Sequence, residues 1–93
     1  MYFFINNPNY QENEGIEIAK NLRENKTLEK LELEGNLLGP KTAYEIGQLI
    51  KDNSIIRYID IEYNNLTDGG TSNEGIKSIA DVNIQKYNIF KKL

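Results

Sequence analysis

Leu28-Glu29-Lys30-Leu31-Glu32-Leu33-Glu34-Gly35-Asn36-Leu37-Leu38 and Ile56-Arg57-Tyr58-Ile59-Asp60-Ile61-Glu62-Tyr63-Asn64-Asn65-Leu66 share one frame. Aliphatic residues stand at 28, 31, 33 and 38 in the first, and at 56, 59, 61 and 66 in the second; an asparagine follows at 36 and at 64. Every position in the second copy is its counterpart plus 28. Such fixed-period self-similarity is the mark of a repeat architecture, in which each unit buries its apolar face only against its neighbours. Stepping back by 28 reaches Phe3, Ile5, Pro8 and Tyr10, so the apolar positions persist while Pro8, between Asn7 and Asn9, replaces the asparagine. A degraded first copy is what a terminal, capping unit should look like.

Between the strand-like copies lie helical patterns. Ile18, Ala19 and Leu22 map by the same shift onto Ile46, Gly47 and Ile50, a spacing that gathers three small or aliphatic residues on one helix stripe. Asn25 and Asn53 close these segments, and asparagine suits a left-handed exit from a helix. A third helix is predicted from about Glu74, after the turn-rich Asp68-Gly69-Gly70-Thr71-Ser72-Asn73. Its Ile79-Ala80 pair follows Ile46-Gly47 by 33 residues, an insertion of about five. From Gly75 the apolar positions Ile76, Ile79, Ala80, Ile84, Tyr87 and Phe90 predict one amphipathic helix to the C-terminus, with Asp81-Val82-Asn83 its weak point. That helix would serve as the terminal cap. The expected architecture is α/β: strand-helix units over 1–27, 28–55 and 56–93, a parallel sheet on one side and helices on the other. Asn36 and Asn64 sit where the chain turns after each strand, so their amides should bond backbone groups left unpaired there and form a ladder.

These residues resemble the leucine-rich-repeat superfamily, in particular its ribonuclease-inhibitor-like subfamily with 28-residue strand-helix repeats. Glu24-Asn25-Lys26-Thr27-Leu28-Glu29-Lys30-Leu31-Glu32-Leu33 followed by Gly35-Asn36-Leu37-Leu38-Gly39 is similar to repeats of tropomodulins and NOD-like receptors. The resemblance covers roughly residues 3 to 82. It implies a curved solenoid with a concave parallel sheet, convex helices and protein binding through the concave side. The chain departs from the family in having only about three repeats.

Composition narrows the function. The 93 residues allow one domain, 39% hydrophobic and 27% charged, which is ordinary globular usage. A net charge of -3 and a pI near 4.9 argue against nucleic acid and anionic membrane as partners. Met1-Tyr2-Phe3-Phe4-Ile5 breaks at Asn6, too short for a signal-peptide core or a membrane span. With no cysteine, a soluble, cytoplasmic protein is expected. Histidine is absent too, and no nucleophile stands beside a base, so no enzyme activity is expected. Asp60-x-Glu62-x-Asn64 lacks the glycine and distal glutamate of a calcium loop, and Gly69-Gly70 lacks the Gly-Lys-Ser/Thr of a phosphate loop. Neither metal nor cofactor is expected.

Strand alternation turns Leu31 and Leu33 inward and Lys30, Glu32 and Glu34 outward. The same reading one repeat on exposes Tyr58, Asp60 and Glu62, and one repeat earlier Tyr2, Phe4 and Asn6. Read across the sheet, the rows are Tyr2-Lys30-Tyr58, Phe4-Glu32-Asp60 and Asn6-Glu34-Glu62. Four carboxylates flanked by aromatic residues suit a basic protein partner, although acidic residues also serve simply to keep an exposed sheet soluble. The expected binding residues are Tyr2, Phe4, Lys30, Glu32, Glu34, Tyr58, Asp60 and Glu62. The alternative is self-association into a homo-oligomer through open sheet edges at Phe3-Phe4-Ile5 and Tyr58-Ile59-Asp60-Ile61.

Overall fold

The computed structural model describes residues 2–4, 11–53, 55–80 and 90–92, with 2–4 and 90–92 described as backbone. Strands and helices alternate: β1 Tyr2–Phe4, α1 Glu12–Leu22, β2 Lys30–Glu32, α2 Pro40–Asp52, β3 Tyr58–Asp60, α3 Glu74–Ala80 and β4 Phe90–Lys92. The strands form one sheet in the order β1-β2-β3-β4, and all three pairings are parallel. Parallel neighbours need a long crossover, and the stretches carrying α1, α2 and α3 supply it. The molecule is thus a small α/β domain with a parallel sheet and three helices. Tyr2 lies opposite Lys30 and Lys30 opposite Tyr58, each a step of 28 residues. Phe90 lies opposite Tyr58, a step of 32.

The repeated aliphatic positions form the core. Leu28, Leu31, Leu33, Leu38, Ile56, Ile59 and Ile61 are buried to within 1% of full enclosure, packed with Ala43, Ile46, Leu49 and Ile50 of α2 and Ile79 of α3. Each such side chain contributes roughly 1.5–3 kcal/mol when fully buried. Neighbouring helices approach through glycine. A Cβ on Gly75 would meet the Pro40 carbonyl and the Ala43 side chain, and one on Gly47 would run into Ser78. α2 starts at Pro40, whose fixed φ suits the first helical turn, but it has no acidic residue there. Glu12 of α1 fills the gap: its Oε1 accepts the Thr42 amide at 2.6 Å, and its backbone oxygen accepts the Thr42 hydroxyl at 3.0 Å. A carboxylate at this end opposes the positive pole of the helix dipole.

Two asparagine ladders run across the units. Asn64 Nδ2 donates to Ile61 O at 2.9 Å, to Glu62 O at 3.2 Å and, in the neighbouring unit, to Leu33 O at 2.9 Å. Its Oδ1 accepts Leu38 N at 3.1 Å, while Asn36 Nδ2 donates to Leu33 O at 2.8 Å. The second ladder lies before the strands. Asn53 Nδ2 donates to Leu22 O and Asn25 O, and its Oδ1 accepts the amides of Ile55 and Ile56. Asn25 Oδ1 accepts the amides of Thr27 and Leu28.

Three expectations need correction. Asn25 and Asn53 do not leave their helices left-handed: Asn53 has φ -105° and Asn25 has no positive φ. Their side chains terminate the helices by bonding the following amides. The third helix does not continue to the C-terminus. Its described extent is Glu74–Ala80, and Phe90–Lys92 is a strand. Consequently Tyr58–Asp60 is an inner strand paired on both sides, and the edge strands are β1 and β4. The expectations for Ile5, Asn6, Pro8, Tyr10, Ile84 and Tyr87 lie outside the described residues.

Candidate functional site

In β2 and β3, the side chains between the buried aliphatics define the second face of the sheet. Leu31 and Ile59 are buried, while Lys30, Glu32 and Tyr58 are half-buried. The Lys30 ammonium stands 4.6 Å from the centroid of the Tyr58 ring across the ladder, and 2.8 Å from Glu32 Oε1. A cation over an aromatic face and beside a carboxylate is favourable on both counts, each contributing at most about 1 kcal/mol where solvent reaches it. Lys30 therefore holds the Tyr58 ring in place and offsets the charge of Glu32.

Asp60 departs from expectation. It is 3% exposed, and its Oδ1 accepts the amide of Glu62 at 3.1 Å. On an inner strand flanked by β2 and β4, its short side chain folds back onto the turn instead of facing solvent. Glu34 and Glu62 lie just past the strands and are half-buried. Their turns are joined, since Gly35 N donates to Glu62 O at 3.1 Å. Tyr2 and Phe4 hold the register positions beside Lys30 and Glu32, but their side chains lie outside the described residues, as does all of Asn6. Among the described side chains of β2, β3 and the turns that follow them, Glu32, Glu34 and Glu62 outnumber Lys30 and give this half-exposed stretch an acidic character, with Tyr58 at its opposite end from Glu62. Lys92 of β4 holds the register position beside Asp60.

Sequence reasoning missed the exposed apolar groups along the rim: Tyr63 is 83% exposed and Leu37 53%. The signal was present, because Tyr63 stands 28 residues after Gly35, and both have positive φ. Among the described residues no group of three acidic, histidine or cysteine side chains is placed to hold a metal ion, and no helix is long and apolar enough to cross a membrane. These features define a class: a small α/β domain with an acidic, aromatic sheet face. No protein-family model matches the chain, and no curated protein matches it either.

Proposed function

We propose that the chain is a short leucine-rich-repeat solenoid of the ribonuclease-inhibitor-like kind, working as a non-enzymatic module that binds a basic protein segment on its sheet face. In favour of the repeat reading are the two successive 28-residue registers and the asparagine bonds that link one unit to the next. The single observation that carries the binding reading is the composition of one face: Tyr58 braced by Lys30, with Glu32 beside Lys30 and the half-buried Glu34 and Glu62 on the turns beyond the strands. Such a surface attracts basic partners over a Debye length and gives an aromatic ring to pack against once they arrive. The cysteine-free chain suits the cytoplasm, where the proposal places it.

The test is a titration with lysine- and arginine-rich peptides, acidic peptides serving as controls, at several salt concentrations. The basic peptides should bind and lose affinity as salt rises. The double reversal Glu34→Lys with Glu62→Lys should cost about tenfold or more in affinity and flatten the salt dependence. Unchanged affinity in a variant that keeps its circular dichroism spectrum would sink the proposal.

A further inference from the structure

Tyr63 has a backbone φ of 58°, in the left-handed region that a bulky side chain enters only at a cost. Gly35 occupies the equivalent turn one unit earlier with φ 73°, where a residue without Cβ is at ease. The fold thus contains a relaxed solution to this turn and carries a tyrosine in the second copy instead. The bonds from Asn64 to Ile61 O, Glu62 O and Leu33 O hold the turn in shape, so Tyr63 cannot relax without breaking the ladder. Nor does packing offset the strain, because the residue is 83% exposed. Strain that the surroundings enforce concentrates at functional sites.

The neighbourhood indicates a ligand chemistry. Glu62 precedes the tyrosine, and Glu34 lies on the adjoining turn, tied to it through Gly35 N and Glu62 O. Gly35, at the equivalent position of that turn, carries no side chain, and Leu37 two residues on is 53% exposed. An open aromatic face with carboxylates on both turns matches a guanidinium, which stacks flat on a ring while its N–H groups meet carboxylates. An ammonium is a compact, strongly hydrated charge and fits less well. Resting on the basic-partner reading above, we propose that Tyr63 anchors an arginine of the partner, the guanidinium stacked on its ring and paired with Glu34 and Glu62.

The experiment uses the full chain, an arginine-rich peptide and its all-lysine counterpart, with Tyr63→Gly and Tyr63→Phe as variants. The wild type should prefer the arginine peptide. Tyr63→Gly should raise Tm by about 4–8 °C as the left-handed strain is relieved, yet weaken arginine-peptide binding about tenfold and abolish the preference over lysine. Tyr63→Phe, which keeps both ring and strain, should match the wild type in both measurements. Undiminished arginine-peptide binding by Tyr63→Gly overturns the anchor; if reversal of Glu34 and Glu62 still weakens binding, the sheet-face reading survives. Failure of both peptides to bind the wild type removes both readings. A lowered Tm in Tyr63→Gly refutes the strain argument and, with it, the anchor.

Discussion

Replacing Asn53 with alanine removes a side chain that is 2% exposed and serves four backbone groups at once. Two of these bonds, to Leu22 O at 3.0 Å and from Ile56 N at 3.3 Å, are fully buried. The other two, to Asn25 O at 2.9 Å and from Ile55 N at 2.8 Å, are partly so. A buried backbone group left without a partner costs about 1–3 kcal/mol, while one within reach of water recovers most of its loss. The expected destabilisation is therefore about 2–5 kcal/mol, a large share of the roughly 5–14 kcal/mol available to a chain of this length. Asn25→Ala is the internal control, since it holds the same place one unit earlier but is half-exposed and serves mainly the amides of Thr27 and Leu28. It should cost about 0.5–1.5 kcal/mol. Urea unfolding measures both: the Asn53 midpoint should fall by about 1–2 M with m unchanged, and the Asn25 midpoint by clearly less. If the two variants lose the same stability within about 0.5 kcal/mol, the argument that the ladder derives its strength from burial between units is refuted.

The shared cap and the glycine contacts yield two further outcomes. Glu12→Ala should lower stability by about 1–2 kcal/mol by stripping the Thr42 amide of its acceptor, and Glu12→Gln should recover about half of that, as thermal melts will show. Gly75→Ala gains helix propensity of about 1 kcal/mol, but its Cβ meets the Pro40 carbonyl and the Ala43 side chain, so overpacking should outweigh the gain and lower Tm.

The sheet of the domain was legible because its aliphatic frame is strict. Leu28, Leu31 and Leu33, with Ile56, Ile59 and Ile61, were placed inward from spacing alone, and all are buried. β4 was harder to see, because the tail satisfies two periodicities. Ile76, Ile79 and Ala80 suit a helix, whereas Ile84, Tyr87 and Ile89 repeat the spacing of Ile56, Ile59 and Ile61 at plus 28. That strand-like spacing went unread, and the strand itself lies slightly beyond it, at Phe90–Lys92. Overlooking it left Tyr58–Asp60 as an expected edge and Asp60 as an expected surface acid. Both concern β3: alternation assigns each side chain to a face, but whether the strand is an edge depends on the strand that pairs beside it. The asparagines were recognised as turn residues, but whether asparagine acts through backbone freedom or through its amide depends on which groups lie opposite. For Asn53 these belong to Leu22 and Asn25, far away in sequence.

Pro40 opens α2 eight residues after β2 closes at Glu32, whereas Glu74 opens α3 fourteen residues after β3 closes at Asp60. The surplus folds onto itself: Gly69 N bonds Asn65 Oδ1 at 3.0 Å, Ser72 N bonds Thr67 O at 2.9 Å, and Asp68, Gly69 and Gly70 turn through positive φ. Nothing approaches within 4 Å of where a Cβ would stand on either glycine. The extra length has been absorbed as a detached excursion, and the next strand still docks in parallel. This loop is therefore a grafting port, a place where foreign sequence can enter the chain while the scaffold on either side keeps its alignment.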